Sequence, residues 1–132
     1  MRPVDYLKNA KAYFWEGSFA IIRTDHAYPG AFANITDKNE TTVIIDQCRL
    51  GNTILSEAEK DWKILTLDVV FPPDTVGILA RISGTLAERG ISIMAISAWS
   101  RDHFLVKQKD IKKATEALNS IGIFVSEELG QE

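Results

Sequence analysis

The stretch that most constrains the fold is residues 64–107. Leu65, Leu67, Val69 and Phe71 alternate with Thr66, Asp68 and Val70, the period-two pattern of a strand. Pro72 and Pro73 stop that strand, because proline donates nothing to a ladder. Asp74 or Thr75 is then placed to cap a helix with Ile78, Leu79, Ile82 and Leu86 on one face. Gly90 suits the helix end. A strand over 91–98 follows, then a hairpin through Ser100 and Arg101, then a strand over 103–107. Asp110 opens a second helix that turns Ile111, Ala114, Leu118 and Ile121 inward and Lys112, Lys113, Glu116 and Asn119 outward. Gly122 ends it, and 123–127 reads as a last strand. The order βαββαβ predicts an α+β unit, ferredoxin-like, with two helices on one face of an antiparallel sheet.

The first half repeats this order in reduced form. Residues 4–15 have loose helical spacing and many aromatics (Tyr6, Tyr13, Phe14, Trp15), which predicts a helix packed on the lobe. Strands are expected over 17–24, 32–36 and 40–45, the last two joined by the turn residues Asp37, Lys38 and Asn39. Between the first two strands only 25–30 are available, so the helix expected there is lost or shrinks to a turn. Residues 46–52 read as loop and 53–61 as a helix, with Ser56 and Glu59 fitting a capping box. The count falls one strand short of two complete four-stranded sheets. Either a lobe lacks a strand, or 62–71 and the C-terminal strand are shared. The expected division is an N-terminal extension (1–16), a degenerate lobe (17–61), a complete lobe (62–128) and a frayed tail (129–132).

Composition sets limits on function. The net charge is −3, whereas nucleic-acid binding calls for a basic surface. No apolar run approaches the roughly 18–20 residues of a membrane span, and 1–5 do not resemble a signal peptide. One cysteine, Cys48, makes no internal disulfide, so a reducing cytoplasmic setting is expected. Catalytic residues, metal ligands and cofactors are expected to be none. His26 and His103 are the only histidines, and no Ser–His–Asp set or metal spacing can be drawn from them. A phosphate cradle after the first strand of the βαββαβ unit would need arginine, where Pro72, Pro73, Asp74 and Thr75 stand. An RNA-binding sheet would need stacking aromatics with basic flanks, and Phe71 and Phe104 are isolated.

The corner from Asp74 to Ile78 carries the clearest chemistry. A helix N-terminus leaves amides unpartnered and bears positive partial charge, which suits a carboxylate. Gly77, lacking Cβ, lets a ligand or another backbone approach. The competing reading is that Asp74 merely caps the helix and Gly77 packs on a strand. The strand over 91–98 is expected at a sheet edge, with apolar residues on both faces, and calls for cover by a second lobe or a second copy. That pairing would bring Ser92, Ile93 and Met94, or 32–34 of the first lobe, to the corner. Asp102 is placed to accept from an ammonium or guanidinium group, or simply to cap the hairpin turn.

Asp74-Thr-Val-Gly77-Ile-Leu79, followed by Leu86-Ala-Glu-Arg-Gly90-Ile-Ser-Ile, resembles the signature of an ACT domain, a small-molecule-sensing regulatory module. Ile96 and Ser97 with Asp102, Leu105, Val106 and Lys107 are similar to the C-terminal half of stand-alone tandem ACT proteins, relatives of aspartokinase regulatory regions. The resemblance departs at Trp99, Arg101 and His103. It implies tandem ACT-type lobes with the first degenerate, and a non-enzymatic sensor binding an amino acid at a lobe or subunit interface. The implied ligand residues are Asp74, Thr75, Val76, Gly77, Ile78, Ser92, Ile93, Met94 and Asp102. The implied partners are the small molecule, a second copy as homodimer, and a regulated enzyme. The alternative is a ligand-free docking module using the same interface.

Overall fold

The computed structural model describes residues 3–50 and 57–127. These divide into two compact units, one of residues 1–16 and 63–132 and the other of 17–62.

The first unit contains a short helix α1 (Pro3–Leu7) and strand β1 (Lys11–Phe14). The predicted helix over 4–15 is therefore corrected. Ala12 and Phe14 alternate inward, and helical spacing in this aromatic-rich segment gives way to sheet pairing. The second unit holds β2 (Phe19–Thr24), β3 (Ala33–Thr36) and β4 (Thr41–Asp46). Strand β5 (Ala58–Leu67) runs across the boundary, its start pairing with β2 and its end with β1. This corrects the helix predicted over 53–61 within the described residues; 53–56 lie outside them. The capping-box pattern loses because 58–62 supplies the second unit with its missing ladder. Helix α2 (Ile78–Ala87), β6 (Ile93–Ser97), β7 (Asp102–Lys107), α3 (Ile111–Asn119) and β8 (Phe124–Glu127) complete the first unit.

Within that first unit the pairing order is β8-β1-β5-β7-β6. β1 sits between β5 and β8, antiparallel to the former and parallel to the latter. The sheet is thus not wholly antiparallel, as βαββαβ alone predicts, and the C-terminal strand stays within one unit. Helices α2 and α3 cover one face. Ile78, Ile82 and Leu86 of α2 and Ala114, Ala117 and Leu118 of α3 close over Phe14, Leu65, Leu67, Phe104 and Val106. Both helices end in the same turn. Ile91 N–H donates to Leu86 O and Gly90 N–H to Ala87 O, and Ile123 and Gly122 repeat this on Leu118 and Asn119. That is the pattern of a Schellman end, with Ile91 packed back over Leu86. Gly90 and Gly122 stand where the sequence places them.

The second unit has antiparallel order β3-β4-β2-β5 and a smaller core of Ala20, Ile22, Val43, Ile45 and Leu50. The helix after β2 is absent, as expected. Tyr28 and Ala31 of the connecting loop cover that face with Leu50 of a 3-10 turn (Gln47–Leu50).

Candidate functional site

β5 leaves the sheet at Leu67, and the chain turns through Pro72 and Pro73, where Thr75 N–H donates to Pro72 O at 3.0 Å. It enters α2 through Gly77, the N-cap, at φ 88° and ψ 0°. Neither Asp74 nor Thr75 caps the helix; Asp74 is exposed and no side chain bonds the first turn. The reason is conformational. Side-chain caps act from an extended N-cap residue, whereas this chain arrives left-handed, which glycine does without a Cβ clash. The first bond along the helix runs from Arg81 N–H to Gly77 O, 2.9 Å. The amides of Ile78, Leu79 and Ala80 precede it and are the helix's orphan donors. A left-handed residue followed by right-handed ones turns successive amides toward a common point, an anion-binding concavity. Beside it, Thr75 Oγ1 is buried with no hydrogen-bond partner.

Asp102 begins β7 opposite Ser97 and is half-buried. Its register puts it on the face of Phe104 and Val106, beneath the helices. Two side-chain contacts, Thr66–His103 and Asp68–Arg101, advance in opposite directions along β5 and β7, as antiparallel neighbours do. The start of β7 therefore lies at the end of the sheet where β5 exits toward α2. Asp102 and the Gly77 corner share that end. Ser92, Ile93 and Met94 do not. Ile93 pairs with Val106 at the other end of β7 and packs into the helix-covered core, and Ser92 follows the C-terminus of α2. The ten-residue helix separates the two ends by about 15 Å. Among the described residues β6 pairs only with β7, so it is an edge strand.

The second unit offers no matching corner, because its loop replaces the helix. That loop is held by its own chain. Asn34 accepts from Tyr28 N–H and donates to Tyr28 O, Arg49 donates to Gly30 O at 2.7 Å, and His26 stacks on Tyr28. The Asn34 amide thus pairs at both its oxygen and its nitrogen with the loop backbone.

Three interactions escape sequence reasoning. On the sheet face away from the helices, Trp15 Nε1 donates to Thr66 Oγ1 at 2.7 Å, and Thr66 Oγ1 lies 2.8 Å from His103 Nδ1. Burial holds the His103 imidazole below its ordinary value, and neighbouring Asp102 opposes that. Arg101 bridges to Asp68 at 3.0 Å. The signal available was the departure from the ACT pattern at Arg101 and His103. Cys48 is exposed, and its hydrogen bond with the Asp46 carboxylate pushes the thiol up, away from an activated thiolate. Among the described residues no cluster of three or more His, Cys, Asp or Glu could hold a metal, and no helix is long and apolar enough to cross a membrane.

Residues 57–120 match the family model for an ACT domain. No curated protein matches the chain. Among solved structures, an Agobacterium tumefaciens protein superposes with TM-score 0.80 at 23% identity, over 94% of this chain and 97% of its own. A Vibrio cholerae protein of unknown function gives 0.77 at 20%, over 91% and 94%. The regulatory subunit of aspartate kinase from Thermus thermophilus, in its ligand-free form, gives 0.62 at 12%, over 87% and 97%. Over 57–120, with the order βαββα, a helix-covered sheet and a left-handed glycine entry to α2, the chain matches the ACT domain, on the fold that the regulatory subunit of the Thermus aspartate kinase shares.

Proposed function

We propose that the protein is a non-enzymatic regulatory module that binds a free amino acid at the Gly77 corner. The observation that carries this is the left-handed entry at Gly77, which leaves the Ile78, Leu79 and Ala80 amides ahead of the first helical bond. The ligand carboxylate takes these donors, where the helix dipole adds favourable potential. Thr75 Oγ1, buried and unpartnered, gives a further polar contact. The ligand amino group or a basic side chain faces Asp102, at the same end of the sheet. Val76, 78% exposed, lies over the corner. Ser92, Ile93 and Met94 join the site from a second copy, whose β6 edge covers the corner in a cytoplasmic homodimer. A regulated enzyme is the downstream partner. The ACT match over 57–120 and the Thermus neighbour, the regulatory subunit of an aspartate kinase, support the reading.

A second reading, a ligand-free docking module, is favoured by one observation: Trp99 at the β6–β7 hairpin is fully exposed. Isothermal titration of the full chain against the common amino acids separates the two. Saturable heat with one of them, lost in Gly77→Leu while the variant stays folded, is the expected result. An Asp102 bond to an ammonium contributes about 1.5–3 kcal/mol, so Asp102→Ala weakens that binding about tenfold to a hundredfold. Absence of heat with every amino acid, with assembly lost in Gly77→Leu, overturns the sensor reading in favour of docking.

A further inference from the structure

We infer that Trp15, Thr66 and His103 form an acid-sensitive latch across neighbouring strands of the first unit, closed while His103 is neutral and opened when it gains a proton. An indole N–H only donates, so the 2.7 Å contact makes Thr66 Oγ1 the acceptor from Trp15. The hydroxyl proton is then free for the 2.8 Å contact, and a neutral imidazole with its proton on Nε2 accepts it at Nδ1. In this state the donors and acceptors run in one direction, from indole through hydroxyl to imidazole. Protonation reverses the second bond. Nδ1 then carries a proton and must donate to Thr66, which displaces the hydroxyl proton at a residue only 1% exposed. A displaced donor buried among strands is costly.

The surroundings favour the neutral ring. His103 faces Thr66 of β5 and, across the β6 ladder, uncharged Ile96. Arg101, two residues earlier on the same face, is engaged by Asp68 of β5 at 3.0 Å. Asp102 is adjacent along β7 and favours the charged ring, but burial outweighs it. From the β1 side the titratable neighbour of Trp15 on the same face is Tyr13. The latch lies at a place where its opening has an effect. β1 is held by short ladders and is followed by Trp15, whose backbone N–H donates to Ile64 O at 2.8 Å. Straining the Thr66 contacts loosens that end of β1 from β5.

NMR titration of the full chain tests this, following the His103 ring protons and the Trp15 indole N–H, the latter assigned by Trp15→Phe. The expected result is one shared midpoint for both signals. In Thr66→Val the neutral ring loses its donor, so the His103 midpoint rises and the indole signal no longer follows it. Thr66→Ser keeps the hydroxyl and restores both behaviours. An indole signal that stays flat while His103 titrates in the parent overturns the latch, and that measurement needs no variant at Thr66 to fold. So does a folded Thr66→Val with the parent's midpoint.

Discussion

Gly90 and Gly122 hold the same position in two equivalent helix-ending turns, at φ of 71° and 94°, yet alanine at the two sites should have very different effects. Either substitution forces an L-residue into the left-handed region, at about 1–2 kcal/mol. Either also removes glycine's freedom from the unfolded chain, which offsets about 0.4–1 kcal/mol. These contributions are common to both variants and cancel in the comparison. The surroundings do not cancel. A Cβ at Gly90 would meet nothing within 4 Å, whereas one at Gly122 would stand 3.1 Å from Lys8 Cα and 3.6 Å from Asn9 N. Those atoms are backbone, pinned by the bond from Asn9 N–H to Gly122 O at 2.8 Å. Relief therefore means pushing the turn before β1 off the end of α3, and overpacking of this kind costs about 1–3 kcal/mol. Urea unfolding should place Gly90→Ala about 0–1.5 kcal/mol below the parent. Gly122→Ala should lie about 1–3 kcal/mol lower again, with unchanged m in both. Equal stabilities for the two variants would refute the close-approach argument, and so would Gly90→Ala being the more damaged.

Phe104→Ala removes the largest fully buried side chain from beneath both helices and should cost about 3–5 kcal/mol; a loss under about 1 kcal/mol would mean the site collapses freely. Asp74→Ala should leave stability within about 0.5 kcal/mol of the parent, because Asp74 makes no capping bond; a loss of about 1 kcal/mol or more, the usual value of a lost cap, would restore it as the cap. Because burial lowers the folded His103 value from 6.5, stability from its neutral form is present above that pH and is lost as pH falls through the lower folded value. The stability gap between parent and His103→Gln, measured by urea unfolding, should accordingly shrink on acidification, and a gap that widens contradicts the sign.

Much of the first unit was legible because its residues state one period at a time. Ile82 and Leu86 of α2, Ala114 and Leu118 of α3, and the alternation through Leu65 and Leu67 all land where they point. β1 was not legible. Four residues, Lys11–Phe14, are too few to display a period, and two partner strands remote in sequence decide their conformation. The beginning of β5 was hidden differently. Glu59, Lys60 and Asp61 are exposed in a row, so no inward alternation marks a strand, and Asp61 itself is left-handed at φ 66°. At the site, the sequence marks Gly77 as a place where a ligand or backbone could approach, but not its left-handed N-cap conformation, which removes Asp74 and Thr75 from capping. The Trp15–Thr66–His103 contacts join residues 51 and 37 positions apart, a separation no local pattern reports.

The place of β1 between β5 and β8 has a consequence for how the chain is made. Its neighbours Leu65, Thr66 and Leu67 on one side and 124–127 on the other are synthesised long after it. At about 5–20 residues per second, 11–14 waits roughly 5–20 seconds for its parallel partner. The 17–62 unit is contiguous in sequence and can fold during that interval, while β1 stays without its partners β5 and β8. A fragment cut to the family match at 57–120 lacks both β1 and β8, and its β5 would be left as a bare edge of the kind that invites aggregation. The sheet of this unit is thus finished last, around a strand that was made first.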